Sequence, residues 1–398
     1  MSDASPAPDL GVGMVGYAFM GAAHSHAWRT APEFFDLPTR PRLKALAGRN
    51  VAAAKQTAER FEWESVTPQW RDLLDRDDVD LIDICTPGDT HAEIAIAALE
   101  AGKHVLCEKP LANTVEEAER MAKAAEAAAA SSGVRAMVGF TYRRTPAVAY
   151  ARKLVEEGRI GTIRHVRAQY LQDWLSDADA PLNWRLDKTK AGSGALGDIG
   201  AHIVDMAQFV AGDDIVRVNG MLETFVETRP VEGVASGIGG TGSADAERGP
   251  VTVDDAAAFL ARFAGGAFAT FEATRYASGR RNGLRLEING SKGSLAFDFE
   301  DMNVLHFYDA AQPADEQGFR RISVTEPTHP YLHAWWPPGH GLGYEHGFTH
   351  QVVDLVTDLA EGRQPRPSFD DGLRVQRVLA AVTSSSDSGG WTEVHPTI

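Results

Sequence analysis

Short apolar runs alternate with helix-like stretches over the first 140 residues, and this rhythm restricts the fold more than any other feature of the chain. Residues 12–15, 43–47, 79–85, 104–107 and 136–140 read as strands. Between them, helical patterns run from the turn after residue 15 through residue 31, then over 51–61, 92–101 and 115–130. The strands are short and almost wholly apolar, as strands covered on both faces are. Strand–helix alternation at this spacing predicts an α/β fold with a doubly wound parallel sheet.

The first strand runs into Gly16-Tyr17-Ala18-Phe19-Met20-Gly21 and then a helix. Strand, glycine turn and helix in this order form a dinucleotide-binding turn. The first glycine makes the bend, the middle position lets a pyrophosphate approach, and the last packs helix on strand. Ala18 occupies the middle position, so its methyl narrows the approach. Ligands of such sheets lie beyond the carboxyl ends of the strands. That rule puts residues 16–21, Thr86-Pro87 with His91, Glu108-Lys109-Pro110 and Tyr142-Arg143 along one crevice. An acid after the second strand would select NAD, but the chain reads Gly48-Arg49-Asn50 there. Arg49 suits the 2′-phosphate of NADP, an adenine stack, or simply an exposed loop, so NAD and NADP both stand.

The pattern then changes. Residues 163–172, 217–227, 252–263, 267–276, 284–289, 294–299 and 303–308 read as strands, several joined by glycine turns such as Gly265-Gly266 and residues 290–293. They predict an α+β domain with a large, open, mostly antiparallel sheet, closed by helices at 344–362 and 371–384. The division expected is a dinucleotide-binding domain over 1–142 and a substrate-binding and oligomerisation domain over 143–398. An open sheet of that size has a face to cover, and self-association as a dimer or tetramer is the usual solution. Residues 230–250, rich in Gly, Ser and Ala, read as a flexible loop or an oligomer arm.

Chemistry in this half concentrates at 194–205, where Asp198 and His202 stand four residues apart at the head of an expected helix. A carboxylate and an imidazole on one helix face form a proton-handling pair. The plainer alternative is a helix cap and a satisfied histidine. Upstream lie Gln172-Asp173-Trp174 and Trp184-Arg185. Aromatic faces beside groups that fork hydroxyls suit a sugar, although tryptophans also pin loops to a core.

Composition excludes several classes. A net charge of −16 argues against nucleic acid or an anionic membrane as partner. No apolar run reaches transmembrane length, and the first nine residues read as a loose tail without a signal peptide's basic and apolar regions. The two cysteines, Cys85 and Cys107, lie in apolar runs and fit a reducing cytoplasm. His329, His333, His340, His346 and His350 cluster without a matching ligand set, so no metal is expected; a lid or hinge at Pro337-Pro338-Gly339 fits better.

Taken together, Gly16 to His24, Thr86-Pro87 with His91, the run from Ala101 to Val105 into Glu108-Lys109-Pro110, Gly139-Phe140 through Arg143-Arg144, and Gly197-Asp198 with His202 resemble the Gfo/Idh/MocA oxidoreductases over nearly the whole chain. Tyr142 to Ala149, Tyr170 to Trp174 and Gly192 to Asp198 look closest to a branch that oxidises the C3 hydroxyl of a pyranose. The resemblance implies an NAD(P)-dependent dehydrogenase of a sugar, anhydrosugar or glycoside. Lys109 would then bridge nicotinamide and substrate hydroxyl, Asp198 would bind a neighbouring hydroxyl, and His202 would take the proton. The alternatives are a glycosidase that uses transient C3 oxidation, and a dinucleotide-binding sensor or partner subunit without turnover. Ala18, Gly88, Thr141 and the missing ribose-binding acid depart from the family pattern.

Overall fold

The computed structural model describes residues 8–236, 239–243 and 245–394. The chain forms two compact units, one holding the residues up to Arg144 with Gly343–Leu373, the other Thr145–Leu342 and the residues from Arg374 on.

The first unit is built on six parallel strands: β1 (Asp9–Val15), β2 (Arg40–Ala47), β3 (Val66–Thr67), β4 (Leu81–Ile84), β5 (His104–Cys107) and β6 (Ala136–Val138). Their order across the sheet is β3-β2-β1-β4-β5-β6. The order reverses beside β1, and a doubly wound sheet binds ligands at that switch point. Helices α1 (Phe19–Phe34), α2 (Val51–Phe61), α3 (His91–Glu100) and α4 (Val115–Ser131) connect the strands. Their starts follow local chemistry. Asn50 caps α2 through Oδ1, which accepts the Ala53 amide at 3.2 Å, and Thr114 with Glu117 forms a capping box on α4. The edge strand β3 has two residues, too few to give a periodic signal in the sequence.

The helix Tyr344–Ala360 belongs to this unit, although the sequence reading grouped it with the second half. Its buried residues Phe348, Val352, Leu355 and Val356 recur at helical spacing and join one core with Met14, Ala27, Trp28, Ala31 and Leu46. The apolar stripe was visible in the sequence; its partner lies some 300 residues earlier and was not.

The second unit contains a nine-stranded sheet. In order its strands are Arg320–Ser323, Val304–Asp309, Gly293–Asp298, Gly283–Gly290, Ile163–Leu171, Phe268–Thr274, Ala256–Phe263, Ile215–Glu223 and Thr392–Glu393. All neighbours pair antiparallel except Ile163–Leu171 with Phe268–Thr274. Phe259, Ala261, Phe263, Ala269, Phe271 and Leu286 face inward and are buried. The opposite face carries Arg167, Gln169, Met221, Leu260, Glu272 and Glu287 around a shallow hollow of about 700 Å³. Two edge strands, Arg320–Ser323 and Thr392–Glu393, were not anticipated, because neither alternates clearly.

Residues 230–250 are not simply a loop. Thr228–Pro230 pairs with Arg248–Pro250, and Gly233–Ser236 with Gly239–Gly242. The buried Arg229 ties this excursion down by donating to the carbonyls of Leu175, Asp177 and Ala180. Residues 237, 238 and 244 lie outside the described residues, as do 1–7 of the tail expected over residues 1–9, whose last residue, Asp9, instead opens β1. Among the described residues no helix is long and apolar enough to cross a membrane.

Candidate active site

In the first unit the glycine turn takes the form its residues require. Gly16 has φ +106°, and a side chain there would meet the Cys85 carbonyl oxygen at 2.6 Å. At Gly21 an added Cβ would lie 2.3 Å from the Gly16 carbonyl oxygen, so the helix start packs directly on the bend. Ala18 stands at the N-cap with no side-chain cap, and the first turn of α1 carries no acid. Its first amides therefore keep their donor capacity for an anion, and Ala18 and Phe19 are exposed where one would arrive. The backbone thus fits a pyrophosphate despite the missing middle glycine. Arg49 is exposed in the loop after β2.

Thr86 and Pro87 follow β4 and are half-buried, with the Thr90 hydroxyl donating to Thr86 Oγ1 at 2.7 Å. His91 corrects an expectation. The sequence puts its side chain at the cofactor, yet it is buried, with Nδ1 3.0 Å from the Pro110 carbonyl and Nε2 2.9 Å from the Thr86 carbonyl. Both ring nitrogens are engaged by main chain, so His91 is a strut between the turns after β4 and β5. Glu108 is likewise buried and turned inward, with Oε1 2.9 Å from His24 Nε2 and Oε2 accepting the Lys109 amide at 3.2 Å. Lys109 is half-buried at the mouth of that turn, before a cis Pro110. Tyr142 and Arg143 are half-buried on the single turn Thr141–Arg144, which is anchored by Thr141 Oγ1 donating to Gln351 at 2.9 Å and Arg144 Nε to Asp354 at 2.8 Å.

The second unit holds Asp198 and His202, although the helix does not begin as expected. A wide π turn, Leu196–Gly200, carries Asp198, and the α-helix Ala201–Ala211 continues from it with His202 in its first turn. Such turns cost regular hydrogen bonding and are often found at functional sites. A clamp holds this one. The Asp254 carboxylate accepts the Gly194 and Leu196 amides, each at 2.7 Å, and its carbonyl accepts the Ala195 amide at 3.0 Å. Burial pushes the Asp254 carboxyl above its ordinary range, against the pull of those two amides. Arg275, fully buried, donates to the Asp254 carbonyl at 2.9 Å and stands 3.8 Å from Asp198 Oδ2. Its burial pulls the guanidinium down from its usual value, while Asp198, Asp254 and Asp255 oppose that shift. A cation fixed there gives the Asp198 carboxylate a buried partner of opposite charge. The Tyr170 ring lies 5.9 Å from the His202 ring.

The polar–aromatic strip is interlinked. Trp174 Nε1 donates to Gln172 Oε1 at 3.1 Å, Gln172 Nε2 to Asn282 at 2.9 Å, and Arg275 lies 5.4 Å from the Trp174 ring centre. Asp173 accepts Arg281 Nη1 at 3.2 Å, and Arg185 stacks on Trp184 at 4.5 Å. Of the clustered histidines, His346 Nδ1 accepts the Gly343 amide at 3.0 Å, and His350 Nδ1 donates to the Arg144 carbonyl at 2.9 Å. Among the described residues the one grouping with metal-ligand spacing is instead His24, Asp83 and Cys85. Asp83, Asp254 and Arg275 stand outside every motif of the sequence, and His24 enters only as the end of the Gly16 to His24 motif. The signal was present: an acid inside a buried strand and charges at strand ends.

Two family descriptions match the chain: an oxidoreductase family with an NAD-binding Rossmann fold over residues 10–140, and the GFO/IDH/MocA C-terminal domain over 148–296. The chain belongs to the Gfo/Idh/MocA family. It is accordingly a nicotinamide-dinucleotide-dependent oxidoreductase. Levoglucosan dehydrogenase of Pseudarthrobacter phenanthrenivorans is 43% identical over 389 residues, 97% of this chain and 98% of that one. The crystal structure of an oxidoreductase domain protein from Kribbella flavida superposes with a TM-score of 0.93 at 67% identity, covering 98% of this chain and 100% of that chain. A solved levoglucosan dehydrogenase in complex with NADH gives 0.91 at 43% identity over 98% and 100%.

Proposed function

We propose that the protein oxidises a secondary hydroxyl, at C3, of a pyranose sugar, anhydrosugar or glycoside. NAD(P) is the hydride acceptor and supplies the redox chemistry when bound. The observation that carries the proposal is the Asp198–His202 pair, with Asp198 on a wide turn that Asp254 clamps and a buried Arg275 beside it, and His202 on the helix that follows. Kinship with levoglucosan dehydrogenase supports the sugar class.

In this reading the first unit binds the dinucleotide. Amides of the Gly16–Gly21 turn, with Ala18, Phe19 and Met20, would hold the pyrophosphate, Thr86 and Pro87 would border the ring site, and Arg49 would meet the adenosine end. Lys109 hydrogen-bonds the reacting hydroxyl through Nζ and lowers the cost of its deprotonation. Asp198 accepts a hydrogen bond from the neighbouring hydroxyl and orients the ring. His202 takes the hydroxyl proton as the C–H bond breaks. Tyr142, Arg143, Gln172, Asp173, Trp174, Trp184 and Arg185 shape the sugar pocket, with aromatic faces on C–H surfaces and forked groups on hydroxyls. We infer further that the open face of the large sheet pairs with a second copy.

Initial rates with levoglucosan, methyl glucosides and inositols, each with NAD⁺ and NADP⁺, test the reading. Reduced nicotinamide and a 3-keto product are expected with the pyranoses. Release of an aglycone without net reduction, or bound cofactor with no turnover on any of them, would contradict it.

A further inference from the structure

Beneath the turn that carries Lys109 lies a charged cluster the mechanism above does not use. His24 projects from α1 into the sheet and is buried, as are Asp83 in the middle of β4 and Glu108 at the end of β5. His24 Nδ1 is 3.0 Å from both Asp83 oxygens, and His24 Nε2 is 2.9 Å from Glu108 Oε1. Trp28 Nε1 donates to Asp83 Oδ2 at 2.7 Å, and the Cys85 thiol points at Asp83 Oδ1 at 3.5 Å. Glu108 uses its other oxygen to accept the Lys109 amide. A Cβ on residue 139 would lie 2.8 Å from Glu108 Oε1, so Gly139 leaves the carboxylate its space. Phe348 closes the cluster, its ring 5.5 Å from that of His24.

Two buried carboxylates face one imidazole, each on a different ring nitrogen. A carboxylate only accepts, so with both acids ionised both nitrogens must donate. A buried charge persists when it is paired and hydrogen-bonded, as this one is. We propose that His24 is a positioning residue for the reaction: a doubly protonated ring that bridges Asp83 and Glu108 and thereby fixes the main chain from which Lys109 projects. This rests on Lys109 being catalytic. Its force comes from tolerance: displacing a reacting group by about 1 Å can cost on the order of 100-fold in rate. The ring's environment agrees. Burial alone would lower the His24 value, yet contacts led by the Asp83 charge more than offset it and the net shift is upward.

His24, Asp83 and Cys85 also have atoms close enough to surround a metal. Each His24 nitrogen faces a carboxylate oxygen at hydrogen-bond distance, so a ring that donates on both sides offers a metal no lone pair.

Measurements on the full chain test the proposal. Nitrogen-15 NMR of the histidine rings should show His24 with protons on both nitrogens at a pH where an ordinary imidazole, with its value of about 6.5, carries one. His24→Gln, which can donate to one carboxylate only, should lower kcat by about 10- to 100-fold. Its dinucleotide Kd should stay within about threefold, because the glycine turn is untouched. A bare ring nitrogen at that pH, an unchanged kcat in His24→Gln, or a stoichiometric metal in the purified wild type would each overturn it. Wild-type turnover in Lys109→Ala would instead remove the underlying reading and the catalytic half of this one, leaving the ring's protonation state as measured.

Discussion

The clamp at Asp254 gives the sharpest quantitative expectation. Replacing it with Asn keeps the shape but exchanges one acceptor oxygen for an amide nitrogen. Oδ1 and Oδ2 each hold a backbone amide at 2.7 Å, so one of Gly194 or Leu196 must then face another donor. Losing one bond to a charged group costs about 1.5–3 kcal/mol, and the buried amide left facing a donor adds about 1–3 kcal/mol. Relief from burying a carboxylate that burial already pushes toward its neutral form returns part of this. The net loss expected is about 2–4 kcal/mol. For a folding unit of roughly 200 residues each kcal/mol moves Tm by about 2–4 °C, so the melting transition should fall by about 5–15 °C. Because Asp198 rides on the clamped turn, the KM for the sugar should rise while the Kd for the dinucleotide does not. Calorimetry with a substrate titration reads both. A Tm within about 2 °C of wild type, or a loss of dinucleotide affinity equal to that for sugar, would refute the clamp.

Gly21→Ala puts a methyl 2.3 Å from the Gly16 carbonyl oxygen and should weaken NADH binding by about 10-fold or more in a fluorescence titration. Arg49→Asp should move the ratio of kcat/KM values from NADP⁺ toward NAD⁺; an unchanged ratio would make Arg49 a bystander. The raised His24 value predicts a stability term fully present below the unfolded value of about 6.5 and lost as pH rises through the folded one. The gap in urea midpoint between wild type and His24→Gln should therefore be widest near pH 6 and narrow in alkali, and a gap that widens in alkali would contradict this.

The first sheet was legible because its strands are apolar and its helices periodic, and Val51–Phe61 shows both ends in the sequence through Asn50 and the pattern's stop. What failed to show was whatever depends on distant chain. Tyr344–Ala360 displays an amphipathic stripe, but only folding reveals that Trp28 and Met14 receive it. The wide turn at Leu196–Gly200 hid for a related reason. Asp254, some 60 residues away, holds its entrance, and no local spacing encodes that. His91 misled because a histidine beside Thr86-Pro87 looks available, whereas two carbonyls occupy its ring. Asp83 could have been noticed, since an acid flanked by Ile82 and Ile84 in a buried strand demands a partner.

The central claim is that Lys109 acts on the hydroxyl of the carbon from which hydride leaves. Single-turnover formation of reduced nicotinamide from levoglucosan, with wild type and Lys109→Ala both saturated in cofactor, tests it most directly. The account predicts a fall of about 1,000-fold or more in that rate with dinucleotide Kd changed by less than about threefold. A rate near wild type, or a loss confined to cofactor binding, would contradict it.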